Sequence, residues 1–141
     1  MKSMRLLFMA AILVVTLAGC QMNSRDQVMA VDRSQVQLRA VSTRAFETSD
    51  RNLTVRNVIA TLQDLNFVID KADEALGTVS ATKFDVYVMR MTVTVRPRGS
   101  RQVAVRASAQ YNMVAVSDAR PYQQFFSALE KAMFLTANEV D

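Results

Sequence analysis

The stretch from Met89 to Met113 largely alternates apolar and polar residues on both sides of a Pro97-Arg98-Gly99-Ser100-Arg101 break. Period two over that length is the pattern of a half-buried strand, and two such runs around a turn make an antiparallel hairpin. The spacing predicts strands from about Val86 to Arg96 and from Gln102 to Met113, joined by a five-residue turn. Pairing Val95 with Val103 and Arg96 with Gln102 keeps both faces consistent. Tyr87, Met89, Met91, Val93 and Val95 then share a face with Val103, Val105, Ala107, Ala109, Tyr111 and Met113. A one-residue slip would expose that whole face, so burial holds the register. The opposite face carries Arg90, Thr92, Thr94, Arg96, Arg106, Ser108 and Gln110. A chain with this hairpin must cover one side of a sheet and leave the other wet.

The remaining elements supply the cover. Val36, Leu38 and Ala40 alternate with Gln37 and Arg39, which predicts a short first strand. Ser49 or Asp50 is placed to cap a helix whose apolar stripe is Leu53, Val55, Val58, Ile59, Leu62 and Leu65, with Asn66 as a left-handed stop. Phe67-Val68-Ile69 opens a second strand, Asp73 to Gly77 turns the chain, and Thr78 to Phe84 is rich in β-branched and small residues. Asp118 ahead of Pro121 starts a last helix, running to about Asn138, with a band of Tyr122, Phe125, Phe126, Leu129, Ala132, Met133 and Leu135. The order β-α-β-β-β-β-α with short connections implies an α+β fold, a single antiparallel sheet with two helices packed on one face.

Ahead of this domain, a basic start (Lys2, Arg5) precedes an unbroken apolar run from Leu6 to Val15 and the sequence Leu17-Ala18-Gly19-Cys20. The order of parts is that of a secretory signal, and the run is shorter than the about 20 residues that span a bilayer. Leu17-Ala18-Gly19-Cys20 resembles the lipobox of bacterial lipoproteins. That resemblance implies cleavage before Cys20, a diacylglyceryl group on its sulfur and an acyl chain such as palmitate on its new amine. Stable anchoring takes more than one acyl chain, a requirement three chains meet. Gln21 follows the cysteine; by the sorting rule of enterobacterial lipoproteins, a residue other than aspartate there implies the outer membrane. The chain is thus expected to divide into a signal peptide (1–19), a lipidated cysteine with a flexible tether (20–35) and a globular domain (36–141).

Loss of residues 1–19 removes Lys2 and Arg5, and the net charge falls from +4 to +2, fifteen basic residues against thirteen acidic. So small an excess gives no footprint for nucleic acid. Cys20 is the only cysteine and there is no histidine, which removes the common general base, the triad partner and zinc sites built on Cys or His. The carboxylates are scattered. The densest group, Asp70, Asp73 and Glu74, lies beside Gly77 and reads as a turn. With three glycines there is no phosphate loop. The expectation is a non-enzymatic protein with no cofactor beyond the covalent lipid on Cys20.

From about Asn66 to Asn138 the chain is similar to the globular domains of the BamC (NlpB) family, lipoproteins of the outer-membrane barrel-assembly machinery. The features are the hairpin Ile69-Asp70-Lys71-Ala72-Asp73-Glu74-Ala75-Leu76-Gly77-Thr78, the strand ending Thr94-Val95-Arg96-Pro97-Arg98-Gly99, and Pro121-Tyr122 at the last helix. The resemblance implies a helix-grip fold, a sheet wrapped on a long C-terminal helix. Family members carry two such domains behind a long N-terminal segment that docks on a partner. This chain has one domain and a short tether, so that partnership does not carry over.

Three surfaces can carry function. The arginines of the polar face, Arg90, Arg96 and Arg106, are candidates for a partner-binding patch, for acidic lipid headgroups or peptidoglycan-linked polymers. There a guanidinium would hold carboxylate or phosphate in bidentate fashion. The plain reading of a solvated face is preferred. Met89, Met91 and Met113 share a predicted face, and thioethers bind Cu(I), but methionine also fills cores and that reading is preferred. A groove between the last helix and the sheet, if it held about 300 Å³ or more and were lined by Phe125, Leu129, Met89 and Met91, would suit an apolar ligand. A disulfide-free core needs such residues anyway, and plain packing is preferred. The leading expectation is a lipid-anchored, periplasm-facing interaction or scaffold module, an accessory subunit of an envelope protein complex. The alternative is a carrier of an apolar ligand or lipid in the helix–sheet groove.

Overall fold

The longest strands of the protein are the two predicted from alternation, and they form the middle of its sheet. The computed structural model describes residues 34–137. Cys20, the expected lipobox Leu17-Ala18-Gly19 and the expected tether as far as 33 lie outside the described residues. In chain order the elements are α1 (34–42), β1 (Thr43–Phe46), α2 (Arg51–Asp64), β2 (Val68–Asp73), β3 (Thr78–Phe84), β4 (Val88–Arg98), β5 (Gln102–Tyr111), β6 (Val114–Ala115) and α3 (Arg120–Ala137). The six strands form one antiparallel sheet in the order β1-β5-β4-β3-β2, with β6 also on β5. This is an α+β fold with a single antiparallel sheet.

The inner face of the sheet, including Val79, Ala81, Met91, Val93, Val95, Val103, Val105, Ala107 and Ala109, is buried in one cluster with Val55, Val58 and Leu62 of α2 and Tyr122, Phe125, Phe126 and Leu129 of α3. The two helices are tied side by side, Thr136 Oγ1 donating to Asn57 Oδ1 at 3.1 Å. Asp50 caps α2, its Oδ1 accepting from the Leu53 N–H at 2.8 Å. At the other end Asn66 is left-handed (φ 64°). The Phe67 N–H reaches the Leu62 carbonyl and the Asn66 N–H the Gln63 carbonyl, both at 2.9 Å. These are the two bonds of a Schellman motif, and its apolar contact pairs two core residues, Leu62 and Phe67.

Four expectations are corrected. Residues 36–40 are helical, within α1, and the first strand is Thr43–Phe46. Leu38, Val41 and Ser42, at helical spacing, are the positions of α1 turned inward, while Val36 is exposed. In the central hairpin Val95 pairs with Val105, Arg96 with Ala104, Pro97 with Val103 and Arg98 with Gln102. The turn is therefore three residues, Gly99 to Arg101. A two-residue slip keeps every side chain on its face, so alternation cannot exclude it. Pro97 is tolerated because successive N–H groups alternate sides. The Val95 N–H bonds the Gly77 carbonyl at 2.7 Å, so the Pro97 nitrogen points the same way, past the start of β3, where no donor is needed.

Tyr87 and Met113 fall beyond β4 and β5 and are exposed, so the three methionines do not form one buried face: Met91 is buried and Met89 only partly. Leu135 is also exposed, two residues past Met133 and off the buried stripe of α3. No helix among the described residues is long and apolar enough to cross a membrane.

Candidate functional site

The buried inner face stops at Met91 and Ala109, and beyond it the sheet ends in two apolar tips. The first is the connection from β3 to β4, where Phe84, Val86, Tyr87 and Val88 are exposed, Val86 to 85%. Its bend is held by Asp85, whose Oδ1 accepts from the Val86 N–H at 2.8 Å. The second is the turn from β5 to β6, where Asn112 takes a left-handed conformation (φ 52°) and leaves Met113 93% exposed beside Val114. The tips are joined. The Asn112 N–H donates to the Val88 carbonyl at 2.9 Å, and the rings of Tyr87 and Tyr111 meet edge to face at 6.3 Å.

Between these tips, the end of α2 and the start of α3 lies an open cleft of about 350 Å³. Phe67, Met89 and Met91 line it together with Leu65, Val86, Tyr87, Tyr111 and Pro121. Its charged rim is Lys83, Asp85, Asp118 and Arg120. Lys83 sits over the Phe67 ring, 5.9 Å from its centre. Asp118 accepts from Arg120 twice, Oδ1 from the backbone N–H at 3.0 Å and Oδ2 from Nε at 2.8 Å. The side-chain bond from Arg120 is the main reason the Asp118 carboxyl titrates below the usual aspartate value, and the same bond raises the Arg120 guanidinium.

The start of α3 is positioned by one buried hydroxyl. Tyr122 Oη donates to the Val116 carbonyl at 2.9 Å and accepts from the Ala109 N–H at 3.2 Å. The Val116 N–H bonds the Ala109 carbonyl at 2.9 Å. The phenol thus completes a strand-like pairing across a gap too wide for a direct second bond.

Of the residues expected to line a helix–sheet pocket, Met89 and Met91 border the cleft, whereas Phe125 and Leu129 are sealed in the core. Along α3 these side chains are packed in the core, and the cleft borders the start of the helix. The arginines of the outer face divide. Arg106 pairs with Thr94, which makes it a diagonal neighbour of Arg96, opposite Ala104. Arg90 stands between Thr82 and Gln110, six residues along β4 and about 20 Å away. Asp70 and Asp73 have structural partners, the Thr82 hydroxyl at 2.6 Å and the Leu76 N–H at 2.9 Å. Among the described residues no cluster of carboxylate, cysteine or histidine ligands could hold a metal.

Val86 and Tyr111, which line the cleft, were legible in the sequence only as positions on strands. A usable signal was present in Val86-Tyr87-Val88-Met89, four apolar residues in a row, more than one face of a strand can hide. No protein-family model matches the chain, and no curated protein matches it.

Proposed function

We propose that this chain is an interaction module of the bacterial envelope, anchored through acylated Cys20 at the periplasmic face of the outer membrane, and that it docks an apolar segment of a protein partner in the aromatic-rimmed cleft. The observation that carries the reading is an open cleft lined by Phe67, Val86, Tyr87, Met89 and Tyr111, beside the exposed turn residues Met113 and Val114, where the buried core gives out. Aromatic residues and methionine are enriched where proteins bind each other. Here they surround a concave apolar centre with charges at its edge, the arrangement of an interface anchor and its rim.

The reading is tested by placing a photo-crosslinking residue at Val86 or Tyr87 in intact envelopes, with Ser100 on the β4–β5 turn as the distant control. A discrete adduct of one partner from both cleft positions, absent from Ser100 and lost with Val86→Asp, is the expected result. Adducts spread equally over all three positions would sink it. A second reading, carriage of an apolar chain, is favoured by one observation, the methionine-lined volume of about 350 Å³. Lipid that co-purifies with the protein and is lost on Met91→Glu, with no protein adduct, would put that reading first.

A further inference from the structure

The opposite end of the same hairpin has a different chemistry. From Val86 to Ser117 the chain contains five arginines, Arg90, Arg96, Arg98, Arg101 and Arg106, and no acidic residue. Four of them gather at the β4–β5 turn. Arg96, Arg98 and Arg106 occupy the outer face by register, and Arg101 lies in the turn itself. None of the four has an ion pair or a side-chain hydrogen bond among the described residues, where the ion pairs are Arg44–Glu130 and Arg120–Asp118. Four exposed cations repel one another. Among the described residues the carboxylate bonded beside them is Glu47, which accepts from the Gln102 side chain opposite Arg98, one negative charge against four positive.

We infer that this hairpin end docks on an anionic lipid surface through the phosphates of its headgroups. The guanidinium fork matches phosphate geometry and holds its charge at any pH a bilayer meets. The arginines spread over a projecting turn instead of converging on one pocket; a Cβ added at Gly99, at the tip, would meet nothing within 4 Å. A protein partner needs a desolvated anchor among such charges, whereas a headgroup layer requires no matching shape. The apolar neighbour is Leu76, which is exposed and borders the same open surface hollow as Arg96. Nine residues of β4 separate Arg98 from Met89, about 30 Å, so a hairpin seated on lipid leaves the cleft free. The inference is independent of the cleft reading, since it uses none of the cleft's residues.

The test is vesicle partitioning of the full chain carrying Cys20→Ser, so that acylation does not hold it to every membrane. Vesicles of phosphatidylglycerol and phosphatidylethanolamine in equal parts are compared with phosphatidylcholine alone, at low salt. The ratio of the two partition coefficients cancels any apolar insertion common to both. The ratio is expected to exceed one, to fall about 25-fold in Arg98→Gln/Arg101→Gln at roughly fivefold per cation, and to stay unchanged in Lys131→Gln on α3. Circular dichroism and the urea midpoint report that the variants are folded. A ratio of one, or a ratio insensitive to the hairpin substitutions, overturns the inference. Retention on immobilised polyglutamate with the same sensitivity to substitution, but no preference for anionic vesicles, also overturns it, in favour of an acidic protein.

Discussion

Tyr122→Phe tests how the cleft is held, because it deletes one oxygen and leaves the ring in place. In the native protein that oxygen accepts from the Ala109 N–H and donates to the Val116 carbonyl, and all three residues are buried. Phenylalanine retains the apolar contacts, so the hydrophobic contribution of the ring is unchanged. What remains is a buried donor and a buried acceptor with no partner, each costing about 1–3 kcal/mol. Val116 also keeps its own bond to Ala109, which limits relaxation, and a total loss of about 2–6 kcal/mol follows. For a domain of this size that lowers Tm by roughly 10–30 °C. Urea unfolding of wild type, Tyr122→Phe and the exposed-site control Tyr87→Phe measures it, with the control expected within about 0.5 kcal/mol of wild type. A loss below about 0.5 kcal/mol in Tyr122→Phe at unchanged m-value would refute the assignment of the phenol as a structural bridge.

Gly77 and Gly99 both have positive φ, 66° and 67°, but an added Cβ overlaps the Val95 carbonyl oxygen only at Gly77. Gly77→Ala is therefore expected to cost at least about 2 kcal/mol and Gly99→Ala about 1 kcal/mol; equal midpoint shifts would show that the close approach is not limiting. Thr61 Oγ1 is buried without a partner, so Thr61→Val should raise stability by about 1 kcal/mol in the same assay, and a fall would contradict its orphan state. Asp118 has a folded pKa below its unfolded value, so its ion pair stabilises above the ordinary aspartate pKa and is lost as pH falls through the lower, folded one. In an acid titration followed by urea midpoints, Asp118→Asn should flatten that part of the profile; an unchanged profile would mean that the pair contributes nothing.

The boundaries of β3 and the cap and stop of α2 were legible because they rest on local chemistry. Thr78–Phe84 is bounded by a glycine turn, Asp50 offers an oxygen to the first free N–H groups, and Asn66 tolerates positive φ. The two faces of the central hairpin were legible for a related reason: strand geometry sends alternate side chains to opposite sides whatever the partner. Residues 36–40 misled because a few alternating apolar residues fit one turn and a half of helix as well as a strand.

The arginines of the outer face could be read as exposed from sequence, but their grouping could not. Whether Arg96 neighbours Arg106 depends on register, and pairing slipped by two residues satisfies the same pattern. The sequence by itself determined the two faces of the central hairpin from Met91 to Val95 and from Val103 to Ala109, because burial selects on side-chain period and period is a property of the backbone. Only the tertiary structure decided the cleft. Phe67, Met89, Tyr111 and Pro121 come from four separate segments, and their meeting depends on where α2 stops, how far β4 and β5 run past the core, and where the Tyr122 hydroxyl holds α3.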